Sequence, residues 1–430
     1  MTISLIGFAA LLVLLFAGIP IALGMVLVGF IGFAALVGFD PAMAMTGQIA
    51  YETSLSYGLS VLPLFILMGN LINQSRLSEE LYDASNAFLG HRRGGLAMAT
   101  LVACGGFSAV CGSSLATAAT MAKVSMPSMR RYGYADSLAS GSIAAGGTLG
   151  ILIPPSVIMV IYGIMTNTDI GKLFAAGILP GALAISLYMA AIWLVTLLNP
   201  ALGPRGERKN MRERWQALKG VRGVLILFMV VMGGIYFGVF TPTEAAGIGA
   251  FGAFVSTVLR RLLTWQGLIN SLLESARTTS LMFLVLIGAI IFSNFVNVAG
   301  MPHALSEWIL GLHVAPIMVV VWMLIIYFLL GCVLESLSMV LLTVPVFFPI
   351  IQQVGLDPVW FGIIVVVAVE ISLITPPVGL NVFVLKGVLE TVTTSTIFKG
   401  VTPFIFADLV RVTILVLVPG ITLLLPSFMK

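Results

Sequence analysis

The chain has 430 residues, of which 59% are hydrophobic and only 9% are charged, whereas soluble domains carry roughly 25% charged residues. With a mean hydropathy of +1.12, this composition excludes a soluble globular protein and indicates a polytopic membrane protein. The formal net charge of +4 does not indicate binding of nucleic acid, because the basic residues lie between apolar segments, where membrane topology explains them.

The first apolar run, Ile3 to Phe39, is too long for a single span and is interrupted by Gly18 and Pro20. Since about 20 apolar residues cross a bilayer, we expect two spans here. They are retained in the mature chain, because no basic region typical of a signal peptide precedes them. A third span is predicted at Thr53 to Asn73. The next segment, Leu77 to Arg93, is polar on one side and is typical of an amphipathic arm at the membrane interface.

The segment that follows the arm is rich in small residues. Residues 94–129 form two apolar halves joined at Cys111-Gly112-Ser113-Ser114, and halves of about 17 residues predict a re-entrant hairpin whose tip stops inside the membrane. A span at 137–165 follows, with Pro154-Pro155 in its middle, and a span at 173–198 comes next. Backbone groups freed by a helix break must be satisfied at membrane depth, so these features predict a site that is buried or water-lined.

Residues 200–222 form the longest polar run, and the excess of basic over acidic residues in it predicts a cytoplasmic loop. Counting spans back from this loop places the N-terminus outside the cell. Beyond the loop the order of elements repeats: spans at 224–240, 244–259 and 279–298, an arm at 302–312, a hairpin at 316–350, a span at 359–386 broken at Pro376-Pro377, and a last span at 402–425.

We therefore predict an all-α membrane protein made of two inverted repeats, 1–199 and 223–430, each with about five transmembrane helices. Each repeat carries a re-entrant hairpin and a helix broken at a Pro-Pro pair, and the odd number of spans inverts the second repeat. Matched discontinuous helices in inverted repeats indicate a secondary transporter with its site near the middle of the membrane.

Three strings carry a family resemblance: GGFSAVCGSSLATAATMAKVSMPSM, GTLGILIPPSVIMVIYG and EISLITPPVGLNVFVLKG. They resemble the large membrane subunit of tripartite ATP-independent periplasmic (TRAP) transporters, and the resemblance covers essentially the whole chain. It implies an elevator-type, sodium-coupled importer of the bacterial inner membrane, surrounded by lipid and without an organic cofactor. The implied partners are a periplasmic substrate-binding protein and a small four-helix membrane subunit. Because the chain begins directly in the large subunit, we expect the small subunit to be a separate polypeptide.

Small polar residues at the two tips and breaks are candidate sodium ligands, because hydroxyls and freed carbonyls are hard oxygen donors. The first predicted cage comprises Gly112, Ser113, Thr117, Gly147, Thr148 and Gly150. The second comprises Gly331, Ser336, Ser338, Thr375 and Gly379. The alternative interpretation is that these small residues only permit close packing of helices.

The candidate residues for substrate contact are Ser113, Ser114, Ser156, Glu335, Ser336 and Asn381. Glu335 is the most informative, because a carboxylate inside the membrane costs roughly 2.5 kcal/mol or more unless it is paired or hydrated. It is predicted to line the substrate path, coordinate a cation or bond substrate hydroxyls, and the alternative is that it caps the next helix. No membrane-embedded arginine is expected, so helix N-termini would bind an anionic substrate. Asp408 is expected near an interface.

The sequence favours sodium-coupled secondary active import of an organic acid, such as a C4-dicarboxylate, a sialic acid or another sugar acid, delivered by a periplasmic binding protein. The alternative is a stand-alone sodium-coupled dicarboxylate carrier or a sodium/proton exchanger of the same ion-transporter superfamily. An enzyme is not expected, because the chain lacks an HExxH motif and a recognisable nucleophile-base or catalytic carboxylate pair. A channel would not need two matched broken repeats.

Overall fold

The computed structural model describes residues 2–312 and 314–429. The regular secondary structure of these residues is helical, and most of the helices are apolar. The helices of the first half are α1 (Thr2–Phe16), α2 (Ile21–Val37), α3 (Phe39–Leu55), α4 (Val61–Asn73), α5 (Leu77–Leu89), α6 (Gly95–Cys111), α7 (Ser114–Arg131), α8 (Asp136–Thr148), α9 (Val157–Thr166) and α10 (Ile170–Leu198). Those of the second half are α11 (Met211–Tyr236), α12 (Pro242–Leu259), α13 (Trp265–Val298), α14 (Met301–Gly311), α15 (Pro316–Leu330), α16 (Ser336–Gln353), α17 (Pro358–Ser372), α18 (Leu380–Val388), α19 (Thr394–Leu417) and α20 (Gly420–Leu423).

Several of these helices have the length and apolarity of membrane spans. Among the described residues, α10, α11, α13, α16 and α19 each qualify alone, and α3 with α4 forms a sixth apolar unit that is bent by 52°. Other apolar helices, among them α1 and α2, have 10–17 residues. The chain is therefore a multi-pass, all-helical membrane protein.

The predicted third span differs from the structure in its boundaries. α3 already begins at Phe39 and ends at Leu55, and α4 starts at Val61 after a short 3-10 turn. The extended conformation of Ser56, with ψ 114°, interrupts the helix. Pro63 falls in the first turn of α4, where its missing N–H has no helical partner to lose. The corresponding helix of the second half, α13, is instead continuous over 34 residues.

The prediction of a loop throughout 200–222 is wrong for its second part. α11 begins at Met211 and runs without interruption into the apolar segment. Its start is fixed by a capping box, in which the Glu213 N–H donates to Asn210 Oδ1 at 2.9 Å and the Asn210 N–H donates to Glu213 Oε2 at 2.7 Å. Reciprocal bonds of this kind satisfy two of the donors that a helix start leaves free.

Helices end at both predicted tips and at both Pro-Pro pairs, while re-entry of the hairpins into the membrane stays a prediction. Hairpin 1 consists of α6 and α7 and hairpin 2 of α15 and α16; break 1 separates α8 from α9 and break 2 separates α17 from α18. Both breaks contain a cis peptide bond, between Pro154 and Pro155 and between Pro376 and Pro377. The pairs are separated by 222 positions (376 minus 154), and in each half the hairpin precedes the broken helix.

Two groups of helices can be distinguished by their closest partners, and they contact each other where α4 lies against α6 and α13 lies against α16. In the first group, α2 lies against α13 and α4 lies against α12. In the second, α8 packs against α6, α7 and α19, while α17 packs against α15, α16 and α10. Each hairpin also contacts the broken helix of the other half, because α7 lies against α18 and α16 lies against α9. These contacts between the halves bring the hairpin tips and the helix breaks to the same part of the molecule.

Candidate functional site

A cavity of about 380 Å³ lies where the two hairpin tips meet α4 and α13. Its polar lining residues are Asn70, Asn73, Ser113, Ser114, Glu274, Thr278, Glu335 and Ser336. The described residues that line it include two carboxylates but no lysine or arginine. The groups in this cavity that favour an anion are therefore the first amides of α7 and α16, at Ser114 and Ser336.

Tip 1, the turn at Gly112 and Ser113 between α6 and α7, is tight and lies against break 1. Gly112 has φ +64°, a conformation that favours glycine, and Ser113 is the N-cap of α7. Thr117 Oγ1 donates to the Ser113 carbonyl at 2.7 Å. A Cβ atom on Gly112 would lie 3.0 Å from the Pro155 carbonyl oxygen, and one on Gly150 would lie 2.7 Å from the Ser113 carbonyl oxygen. The tip and the break therefore touch backbone to backbone, which concentrates carbonyl oxygens between them.

Tip 2, the turn from Gly331 to Glu335 between α15 and α16, also precedes a helix N-terminus, and it carries the carboxylate of Glu335. Glu335 is the N-cap of α16 but makes no side-chain bond to the helix backbone. Ser338 Oγ instead donates to Glu335 Oε1 at 3.2 Å, and the Glu335 side chain is exposed to the cavity. Glu335 is therefore an exposed carboxylate with one hydroxyl partner, and the capping interpretation does not describe its contacts. Gly331 lies directly against the Ser372 side chain.

The remaining hydroxyls of the breaks bond within their own segments. Ser156 caps α9, accepting from the Met159 N–H at 3.4 Å, and donates to the Ile151 carbonyl at 2.5 Å. Thr375 Oγ1 donates to the carbonyl of Ile371 at 2.7 Å. Gly379, with φ +60°, precedes α18. Ser156 is fully buried and is not among the lining residues of the cavity.

Thr148 and Asn381 lie behind the tips and outside the cavity lining. Thr148 Oγ1 donates to Glu370 Oε1 at 2.9 Å. Asn381 Nδ2 donates to the carbonyl of Ala144 at 3.1 Å, which ties α18 to α8, and its Oδ1 is buried without a partner. Gly147 packs against the Asn381 amide and Ala118. These residues connect the two halves of the chain, and their side chains do not face the cavity.

A fully buried charged cluster contradicts two expectations from the sequence. Arg411 on α19 lies in the interior with Nη2 2.9 Å from Glu370 Oε2 and 2.8 Å from Asp408 Oδ1. The Tyr188 hydroxyl donates to both Asp408 oxygens at 2.8 Å. An arginine is thus embedded in the membrane domain, and Asp408 is not near an interface. The helix spacing of Asp408 and Arg411, one turn apart within an apolar segment, is the sequence signal that identifies such a pair.

α4 and α13 contribute a part of the cavity wall that was not predicted from the sequence. Asn70 Nδ2 donates to Ser275 Oγ at 2.8 Å and joins the two helices. Asn73 Oδ1 accepts from Thr120 Oγ1 at 3.3 Å. Glu274 is exposed on α13, in a stretch that the predicted span at 279–298 left out. Polar residues recurring near the ends of apolar helices were the available signal.

Comparisons with known proteins agree on one family. The model of the tripartite ATP-independent periplasmic transporter DctM component matches residues 8–421. The large permease protein DctM of a C4-dicarboxylate TRAP transporter from Pseudomonas aeruginosa is 36% identical over 403 residues, covering 93% of this chain and 94% of that protein. The large permease protein SiaM of a sialic acid TRAP transporter from Vibrio cholerae is 33% identical, covering 96% of each chain.

The fold also has a relative among solved structures. The YdaH transporter of Alcanivorax borkumensis superposes with a TM-score of 0.65 over 90% of each chain, at 14% sequence identity. That likeness concerns the fold alone. The family match and the identities over nearly the whole chain carry the assignment: the protein is a transporter subunit and not an enzyme, and it belongs to the DctM family of TRAP transporter large permeases.

Proposed function

We propose that the protein performs sodium-coupled import of an organic acid handed over by a periplasmic binding protein. One observation carries this proposal: both hairpin tips, each preceding a helix N-terminus, converge on one cavity. A site built from two tips offers carbonyl and hydroxyl oxygens to a cation and amide N–H groups to an anion at the same place. Proximity of this kind lets binding of the one change the affinity for the other, which is what couples their transport.

The proposed sodium sites lie where each tip meets a break. For the first site, the contact of Gly150 with the backbone of Ser113 and that of Gly112 with Pro155 support an oxygen-rich pocket. Thr148 takes part through its backbone only, since its hydroxyl already donates to Glu370. For the second site, the supporting contacts are that of Gly331 with Ser372 and the approach of Gly379 to the Thr375 carbonyl. Hard oxygen donors of this kind suit sodium.

The substrate is proposed to bind between the tips with its carboxylate at the N-termini of α7 and α16. Ser113, Ser114 and Ser336 line that space. Glu335 and Glu274 are acceptors for substrate hydroxyls or N–H groups. Ser156 and Asn381 have no direct role in this proposal, because both are buried away from the cavity. The relatives' substrates, C4-dicarboxylates and sialic acid, set the class: a small carboxylic acid.

We further propose that the halves are inverted repeats and that hairpins and broken helices move together against the first group of helices. The close packing of α2 against α13 and of α4 against α12 supports a fixed frame. The cavity wall includes Asn73 at the end of α4. It also includes Glu274, which lies less than three helical turns from the start of α13 at Trp265, just after the basic pair Arg260-Arg261 that is proposed to be cytoplasmic. With the N-terminus in the periplasm, the cavity opens toward the cytoplasm.

The proposed partners are a small four-helix membrane subunit and a periplasmic binding protein, as membership in the tripartite family implies. The proposed location is the bacterial inner membrane. A stand-alone sodium-coupled carrier or a sodium/proton exchanger is the alternative, and reconstitution with and without the binding protein separates them. Import that requires the binding protein supports the first function, and import by the membrane subunits alone supports the second.

The sodium sites predict that uptake into proteoliposomes holding the membrane subunits, with the binding protein outside, stops when sodium is replaced by choline. Ser113→Ala and Ser336→Ala should each raise the sodium concentration for half-maximal uptake roughly fivefold, because one oxygen contact of about 1 kcal/mol is lost. Ser186→Ala is the matched control, because the Ser186 hydroxyl is exposed and bonds only to the Ala182 carbonyl within α10. Uptake driven equally well in choline by a proton gradient would contradict sodium coupling.

The proposed motion predicts state-dependent labelling of a cysteine at Leu115, an exposed residue at tip 1 that lines the cavity. In a background without Cys104, Cys111 and Cys332, an impermeant thiol reagent should reach it from the cytoplasmic side. Sodium with substrate-loaded binding protein should slow that labelling and permit labelling from the periplasm. A cysteine at Tyr51, exposed on α3, should react unchanged; equal behaviour of both would contradict a moving body.

A further inference from the structure

Arginines surround a histidine at the corner between α5 and α6, away from the transport cavity. His91 follows the end of α5. Burial of the imidazole, and then the nearby charges of Arg214, Arg208, Arg92 and Arg205, lower the pKa of His91 below its usual range. The imidazole is therefore neutral at neutral pH, and the guanidinium groups hold the positive charge of this corner.

Backbone bonds and ring contacts hold the corner together. The connector between α10 and α11 docks on it, because the Gly206 N–H donates to the Gly90 carbonyl at 2.9 Å and the Gly94 N–H donates to the Gly203 carbonyl at 2.9 Å. The Arg214 guanidinium lies over the ring of Phe88, 5.6 Å from its centre. The four arginines thus come from three segments that the fold fixes to one another.

The positive charge of the corner is uncompensated. In the part of the chain that the structure describes, these four arginines take part in no ion pair. Glu213 is occupied by the capping box of α11, and Glu207 is exposed. Moreover, His91 Nδ1 and Arg214 Nε are buried without a hydrogen-bond partner. Leaving a buried polar atom unpaired costs about 1–3 kcal/mol. The Arg214 Nε–H is always a donor, so it calls for an acceptor, which the Nδ1–H tautomer of neutral His91 can share.

We propose that this corner binds a phosphate group, with Arg205, Arg208 and Arg214 as its principal contacts and His91 as a neutral hydrogen-bond partner. Guanidinium groups present pairs of donors that match phosphate oxygens. The positive-inside rule accounts for basic residues on this side of the membrane, but it does not require them to converge on one imidazole whose Nδ1 has no partner. The headgroup of an anionic phospholipid and a soluble phosphate share this chemistry. Exposed Trp215 beside Arg214 favours the lipid, because tryptophan anchors at the membrane interface.

The test uses the purified full chain in nonionic detergent and three probes: phosphatidylglycerol, phosphatidylcholine and inorganic phosphate. Native mass spectrometry counts retained lipid, and thermal shift reports phosphate binding. The variant Arg205→Gln/Arg208→Gln removes two exposed charges of the corner, and Arg212→Gln/Lys219→Gln removes two exposed charges of the same segment that do not act on His91. We expect the first variant to bind phosphatidylglycerol at least about tenfold more weakly, and the control to change less than about twofold.

The outcomes separate the sources of the phosphate group. Specific retention of phosphatidylglycerol over phosphatidylcholine supports the lipid headgroup. Stabilisation by inorganic phosphate alone, lost in the first variant, supports a soluble phosphate at the same site. Equal weakening in both variants would mean a general basic surface and would overturn the proposal, as would the absence of binding by both anionic probes. Size-exclusion profiles and unchanged basal uptake of the first variant exclude misfolding as the cause.

Discussion

Arg411→Met is expected to lower the thermal midpoint of the purified protein steeply and to abolish uptake. The guanidinium lies between Glu370 and Asp408 with all three side chains fully buried. Removing the single cation leaves two carboxylates in a low-dielectric interior, and breaking a buried ion pair in this way costs about 3–5 kcal/mol. The cluster joins α10, α17 and α19, and through Thr148 also α8, so the loss should loosen the body that carries both breaks.

The formal charges of Arg411, Glu370 and Asp408 identify two control variants for this prediction. With both carboxyls ionised the cluster has a formal charge of −1, so Glu370→Gln leaves the balanced pair of Asp408 and Arg411. We expect Glu370→Gln to be much milder than Arg411→Met, since the amide can still accept from Thr148. The triple variant Arg411→Met/Glu370→Gln/Asp408→Asn should recover part of the lost thermal midpoint, because no unpaired charge remains buried. If the triple variant is no more stable than Arg411→Met, packing of the arginine rather than its charge supports the fold.

The helix ends at the tips and breaks were predictable because their signals are local. A Gly-Ser turn between two short apolar halves and a Pro-Pro pair inside an apolar segment each specify a helix end within a few residues, and helices do end beside Gly112 and Glu335. Helix boundaries set by caps were less accessible: the start of α11 depends on the reciprocal bonds of Asn210 and Glu213, inside a segment whose charge suggested a loop.

The buried cluster was not predictable, because its members meet only in the tertiary structure. Thr148 and Glu370 are 222 positions apart, and Arg411 pairs with Glu370 across two helices. Asp408 was expected near an interface from its sequence position alone, because an isolated charge in the middle of an apolar membrane segment is costly. The same reason applies to the cavity: Asn70 and Glu274 become wall residues only because α4 and α13 pack beside the tips.

Gly150→Ala is expected to reduce sodium-dependent uptake at least about tenfold, with a smaller loss of stability than Arg411→Met. The added methyl would lie 2.7 Å from the Ser113 carbonyl group and 2.8 Å from the Ser114 amide nitrogen. These are backbone atoms of tip 1, which cannot rotate aside as a flexible side chain can. Overpacking of this kind costs about 1–3 kcal/mol, and the tip must move away from break 1 to relieve it.

The displacement should act on the proposed first sodium site more than on folding, because the tip is exposed to a cavity on one side and can shift into it. Uptake measured against sodium concentration should therefore show a raised half-maximal sodium requirement, while the thermal midpoint without sodium falls only modestly. Gly387→Ala in α18 is the matched control, since a Cβ there meets no atom within 4 Å, and it should transport like the wild type. A Gly150→Ala protein with wild-type sodium activation would show that close contact between tip 1 and break 1 is not required for ion binding, and would leave packing as the role of the small residues.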